Sequence, residues 1–334
     1  MVKYSCERCG KEFSQKGHYE SHINRQIPCQ NTLDKIKLLV EREVNEKLAK
    51  LNKPEQIHRF TDLFCGIGSF HYSFKQFGWI CVQACDINTN CRDTYKKNYN
   101  FTPENDITNI KDSDIKHTDI LCAGFPCQPF SQVGKGKGFE DERGTLFFQI
   151  IRFIKHGNPK IVILENVRAL LTHDNGNTFN RMKKELENIN YTVYYDVLTC
   201  SDYGIPQKRK RLFMVAVQKD ISEKMKNIFK LDKYKKEMSL STFFNKKFEK
   251  THAFTLRCGG RMSAIDNRHN WDGYIVDGNE YRLSIEDGKL LQGFENFTLE
   301  GSVQAQWKQL GNTIPTIFTK MIGEQIHLLL TSDV

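Results

Sequence analysis

The chain has 334 residues, 39% of them hydrophobic, enough for one sizeable core with smaller modules attached. No apolar run approaches the roughly 20 residues that a membrane helix needs, and the opening MVKYSCERCG lacks the apolar core of a signal peptide. A net charge of +9 suits a polyanionic partner, and eleven cysteines without a secretory signal are expected as reduced thiols rather than a disulfide scaffold. An intracellular monomer with no membrane partner is expected.

Residues 1–30 come first. Cys6 and Cys9 are two residues apart, and twelve more lead to His22, the spacing of a zinc-binding module of two strands and a helix. Phe13 and Tyr19 fall where such a module keeps its small core. Gln26 stands where a second histidine would be usual, so Cys29 is expected to close the site, with His18 as a rival. A module this small has little core and needs its metal to fold. Residues 31–57 carry Leu33, Ile36, Val40, Val44, Leu48 and Leu51 at helical spacing, which predicts a linking helix over Thr32–Leu51.

From Arg59 the chain reads RFTDLFCGIGSF, a short apolar strand entering a glycine-rich turn and a helix. The pattern Phe64-x-Gly66-x-Gly68 gives backbone room for a ligand before helix amides. The next strand, Trp79–Cys85, ends at Asp86, placed to accept hydrogen bonds from a ribose diol. Asp106 offers a second carboxylate. Phe70 and His71 occupy the place of the last glycine of a nicotinamide fingerprint, which disfavours that cofactor. Cys81, Cys85 and Cys91 flank a strand without a paired fourth ligand and are expected to be structural.

Residues Cys122–Ser131 read CAGFPCQPFS. Pro126 fixes its own φ and pushes Phe125 towards extended geometry, so Cys127 is presented on a held turn as a candidate nucleophile. Ile161–Leu164 is a predicted buried strand delivering Glu165-Asn166-Val167 to its end. Gln207-x-Arg209-x-Arg211 precedes a strand at Leu212–Val217, and Gly311-Asn312-Thr313-Ile314-Pro315 comes late in the chain.

Taken in this order, the motifs resemble those of the cytosine-5 DNA methyltransferases over residues 60–217 and again over 282–325. The resemblance implies an α/β fold: a doubly wound, Rossmann-like sheet over 58–217, completed by 282–334. It also implies an inserted target-recognition domain at 218–281, beside the N-terminal ββα zinc finger. It implies S-adenosylmethionine as cofactor, beside structural zinc, and double-stranded DNA as substrate. Cofactor contacts would come from Phe64, Gly66, Gly68, Asp86, Ile87, Asp106, Ile107, Phe125, Leu146 and Asn312. Cys127 would attack carbon 6 of a flipped cytosine, making carbon 5 nucleophilic. Glu165 would bind or protonate ring nitrogen 3, and Arg211, with Arg209 nearby, would hold the base carbonyl and support the cysteine and glutamate. The segment Gln132–Arg143 resembles the family's mobile loop over the flipped base.

Residues 218–280 hold thirteen Lys/Arg against nine Asp/Glu. Arg257, Arg261 and Arg268 are candidates for reading guanine. Ser69 replaces a frequent glycine of the family, and Ser284-Ile285-Glu286-Asp287 replaces a Thr-Pro-Arg-Glu run. A tRNA-methylating branch usually carries Cys-Phe-Thr where this chain has Ala253-Phe254-Thr255, which argues against an RNA substrate. The intact Cys127, Glu165, Arg209 and Arg211 argue against a non-catalytic DNA-binding regulator. A partner restriction endonuclease is a further expectation.

Overall fold

The structure, a computed structural model, describes residues 3–25, 36–37, 39–44, 57–126 and 146–331. Cys29, Cys127 and the Gln132–Arg143 loop lie outside the described residues. The chain divides into two units, Met1–Gln56 and Ile57–Val334.

In the first unit, β1 (Tyr4–Ser5) pairs antiparallel with β2 (Glu12–Phe13), and α1 (Lys16–Ile23) follows. The tight turn at Cys6 closes with Gly10 N–H donating to the Cys6 carbonyl at 2.7 Å. Phe13 packs against Tyr19 and His22, with ring centroids 6.1 and 4.9 Å apart. Tyr4 stacks on Tyr19 at 5.9 Å, and the core among the described residues of this unit is small. Beyond it, the described residues among 36–44 are helical, in keeping with the expected linking helix.

The second unit is built on a six-stranded sheet. Its strands are β3 (Arg59–Leu63), β4 (Ile80–Cys85), β5 (Ile120–Gly124), β6 (Ile161–Val167), β7 (Tyr191–Thr199) and β8 (Lys210–Gln218). The order is β4-β3-β5-β6-β8-β7. The first four run parallel, as the long apolar stretches of β5 and β6 suggest for strands covered on both faces. β8 departs from the expected parallel winding. It runs antiparallel to both β6 and β7, because β7 and β8 form a hairpin slotted in at the edge. The chain turns from one side of β3 to the other between β4 and β5. This reversal opens a crevice beyond the carboxyl ends of the strands.

Helix α2 (Ser69–Phe74) follows β3 and is covered by the C-terminal helix Thr316–Thr331. Ser69 explains itself here. Its buried hydroxyl lies 2.9 Å from the Thr313 hydroxyl and donates to the Ile314 carbonyl at 2.6 Å, stitching the glycine turn to the C-terminal segment. Ser284, the other departure, caps helix Ile285–Leu291 in a reciprocal box with Asp287.

Gly68 sits at φ +85°, and a Cβ there would lie 2.4 Å from Tyr99 and 2.8 Å from Tyr95 on the following helix. Gly68→Ala is therefore expected to destabilise the unit by about 1–3 kcal/mol through overpacking and backbone strain. Urea unfolding of the two proteins checks this; equal midpoints would contradict it.

Between β8 and helix Ile285–Leu291 lie short helices, loops and a hairpin of β9 (Gly273–Val276) and β10 (Asn279–Arg282). Trp271 anchors this region, packing edge-on against Trp307 of helix Val303–Asn312 at 5.2 Å.

Candidate active site

A cavity of about 550 Å³ occupies the crevice. The four parallel strands contribute their carboxyl ends. Phe64 and Gly66 follow β3, and Asp86 and Ile87 follow β4. Gly124, Phe125 and Pro126 end β5, and Glu165, Asn166 and Val167 end β6. Asp106, Ile107, Leu146, Arg211 and Asn312 complete the wall. Of the residues expected at a cofactor, all but Gly68 line it. Gly68 does not line it, and a Cβ there would meet the rings of Tyr95 and Tyr99. A larger groove of about 1000 Å³ opens elsewhere, beside Tyr72, Tyr203 and Lys320, and none of the expected site residues lines it.

Acidic groups punctuate the apolar lining. Asp86 accepts from the Gly66 and Asn88 amides, each at 2.8 Å, which aims it across the glycine turn. Burial raises its pKa against those hydrogen bonds. Asp106 holds the Thr108 amide and hydroxyl with one oxygen. Asp62, which sequence reasoning passed over, is buried in β3 and lines a narrow annex of about 30 Å³ that shares Gly66, Gly124 and Asn312 with the main cavity. Its Oδ2 has no hydrogen-bond partner, and burial, then the charge of Asp86, push its pKa well up. A buried carboxylate with an idle oxygen suits a cationic group. A volume of this size with apolar walls, two ring-end carboxylates and a buried acid fits S-adenosylmethionine, whose ends are an adenosine and an amino acid.

At the other end, Glu165 and Arg211 form a close ion pair, Arg211 Nε to Glu165 Oε1 at 2.8 Å. The contact is an ion pair more than an aimed hydrogen bond, since Oε1 finds no well-directed N–H. Burial raises the Glu165 pKa, with Arg211 and then Arg209 pulling against it. Asn166 Nδ2 donates to the Phe125 carbonyl at 3.0 Å, fixing the backbone one residue before Pro126 and two before Cys127. That positioning role was not evident from the motif alone. Gly124 is needed beside them, for a Cβ would lie 2.9 Å from Ile314.

Arg209 also ties backbone segments together. It is fully buried and away from the cavity wall. Its guanidinium donates to the carbonyls of Leu256, Gly311 and Thr313 at 3.1, 2.9 and 2.7 Å. Burial and the neighbouring Arg211 lower its pKa to about 9, which leaves it charged at neutral pH. Arg261 is likewise occupied. It pairs with the fully buried Asp272 at 3.4 Å and lies over the Trp307 ring, so it is not free to read a base. Arg257 and Arg268 are exposed.

Cys85 and Cys91 line the cavity, and burial pushes the Cys85 thiol up to about 12. Among the described residues, the only grouping with metal-ligand geometry is Cys6, Cys9 and His22, whose donor atoms lie within 4.8 Å of one another. His18 is exposed and outside it.

Residues 58–257 match the family profile of the C-5 cytosine-specific DNA methylases. The chain belongs to that family. The methylase is 33% identical over 296 residues to the Type II methyltransferase M.HhaI of Haemophilus parahaemolyticus, covering 77% of this chain and 90% of that one. It is 32% identical over 301 residues to M.DsaV of Dactylococcopsis salina, covering 80% and 85%. Its fold is similar to that of the S. pombe Dnmt2 methyltransferase, with a TM-score of 0.59 at 21% identity, over 82% of this chain and 98% of that one. It is thus a DNA (cytosine-5-)-methyltransferase, and S-adenosylmethionine is the methyl donor of its family. No described helix is long and apolar enough to cross a membrane.

Proposed function

We propose that the methylase flips a cytosine out of a short, specific duplex site and methylates it at carbon 5, with Cys127 as the nucleophile. The observation that carries this is the Glu165–Arg211 pair, set at the cavity beside the Phe125–Pro126 backbone that leads into Cys127. S-adenosylmethionine supplies an electrophilic methyl group. Phe64, Asp86 and Asp106 would hold its adenosine, and Asp62, through the annex, its ammonium. Glu165 would give a proton to ring nitrogen 3, and Arg211 would hold the base carbonyl. Bisulfite sequencing of mixed-sequence DNA after incubation with S-adenosylmethionine tests the reading. Methylation at one short motif is expected; methylation of RNA alone would replace it.

The raised pKa of Glu165 gives the reaction a direction in pH. The carboxyl holds its proton below that raised value and loses it above. Single-turnover rates should fall as pH rises through it. Glu165→Gln should remove that limb and lower the rate by about 10²–10⁴. An unchanged profile in the variant would take Glu165 out of the proton transfer.

Residues 218–281 would carry target recognition, with Arg257 and Arg268 as the remaining candidates for bases. The relatives' Type II designation favours a partner endonuclease. Cys6, Cys9 and His22, joined by Cys29, would hold a structural zinc ion. Elemental analysis should find one zinc per chain. Stripping it should unfold residues 3–25 while S-adenosylmethionine binding persists, because the cavity lies wholly within Ile57–Val334. A metal-free protein with those residues still folded would remove the finger.

A further inference from the structure

Asp86 and Asp106, the two carboxylates that would meet the adenosine, stand on different loops of the cavity wall. Their separation has to be held by something other than a shared element. The backbone holds part of it. The Glu104 amide donates to the Ala84 carbonyl at 2.8 Å, and the Asp86 amide donates to the Glu104 carbonyl at 3.0 Å. This bridge stops at Glu104, short of Asn105 and Asp106 on the wall.

Arg92 takes over there. It sits half-buried on the helix Thr89–Tyr99, behind the wall and not on it. Its Nη1 lies 2.8 Å from the Asp86 carbonyl oxygen, 2.9 Å from that of Ile87 and 2.8 Å from Asn105 Oδ1. Its Nη2 donates to the Thr89 hydroxyl at 3.1 Å, which braces the fork against the helix that carries it. That helix is itself anchored at the wall, because Asn88 caps it by accepting from the Cys91 amide at 3.2 Å, and both residues line the cavity.

None of these bonds goes to a carboxylate. An arginine whose hydrogen bonds join two cavity loops to one helix acts as a spacer more than as half of an ion pair. Its charge reaches Asp86 all the same. Burial raises the Asp86 pKa, and Arg92, after the Asn88 and Gly66 amides, works against it. The guanidinium thus places the loop and also favours the ionised carboxylate that a ribose diol would bind.

We propose that Arg92 is a positioning residue for the cofactor. By joining the Asp86–Ile87 backbone to Asn105, it sets the separation of the two carboxylates that bind the adenosine. Arg92 itself touches no ligand. This rests on the reading of the cavity as the S-adenosylmethionine site.

The test is a double-mutant cycle read by titration calorimetry with S-adenosylmethionine. Arg92→Met should weaken affinity about tenfold, in the range expected when charge-assisted hydrogen bonds are lost. In turnover, KM for S-adenosylmethionine should rise by the same factor, while kcat at saturation holds within about twofold, since Glu165 and Arg211 lie at the other end of the cavity. Asp86→Ala alone should weaken binding about tenfold or more. With one carboxylate gone there is no separation left to hold, so adding Arg92→Met to Asp86→Ala should cost less than about threefold. Arg92→Lys keeps the charge without the three-way reach. It should fall between wild type and Arg92→Met, and it carries the same cycle if the methionine variant does not fold. Equal losses from Arg92→Met with and without Asp86, or a fall in kcat with KM unmoved, would overturn the positioning role. An Asp86→Ala protein that binds as tightly as wild type would instead remove the cofactor reading of this wall, and the positioning role with it.

Discussion

Replacing Cys127 with alanine is expected to lower the methyl-transfer rate by about 10⁴–10⁶ while leaving S-adenosylmethionine affinity within about twofold. Carbon 5 of cytosine attacks a methyl donor poorly until a thiolate has added at carbon 6. Neither described cysteine of the cavity wall is suited to supply that thiolate. Of the cysteines on the cavity wall, Cys85 has its thiol pushed up to about 12 by burial, and Cys91 is shifted upward by the same cause. The residues expected to hold the cofactor, Asp86 and Asp106 among them, lie apart from Cys127 in the chain and line the cavity, which is why binding should survive. Single-turnover transfer of labelled methyl groups and titration calorimetry separate the two quantities. A variant that still turns over within tenfold of wild type would sink the nucleophilic role.

The catalytic motifs were legible because each is local. Pro126 and the apolar run ending at Glu165 declare a turn and a strand end without reference to the rest of the chain. What a motif leaves open is direction. A glycine turn does not say which glycine faces a ligand, and in this fold Gly66 faces the cavity while Gly68 admits two tyrosine rings. Arg209 and Arg211 are two apart, the spacing that puts strand residues on one face. But β8 begins at Lys210, and the turn before it is tight: the Arg209 amide bonds the Gln207 carbonyl at 2.9 Å. The alternation breaks there, and the two guanidiniums take different partners. The reversed β8 left no trace either, since an apolar run buried on both faces reads alike in either direction. Asp62 hid inside an apolar strand, its significance visible only once the annex and the idle oxygen were placed.

The parted arginines predict opposite phenotypes. Arg209→Met should destabilise the Ile57–Val334 unit by about 3–5 kcal/mol, because it strips the donors from three carbonyls. For a unit of this size that is a fall in Tm of about 10 °C. S-adenosylmethionine affinity should fall as well, since Gly311 and Thr313 are cavity wall. Arg209→Lys should recover little, because one ammonium cannot span carbonyls from Leu256 to Thr313 as the planar fork does. Arg211→Met should behave the other way. It removes one ion pair at the cavity's edge, so the fold should hold while turnover collapses. Glu165 would then lose the nearest charge opposing its burial, and its pKa should climb further. Urea unfolding paired with single-turnover rates on the same preparations distinguishes the two residues. If Arg209→Met proved as stable as wild type but inactive, Arg209 would return to the chemistry, and its three carbonyl bonds would count as incidental.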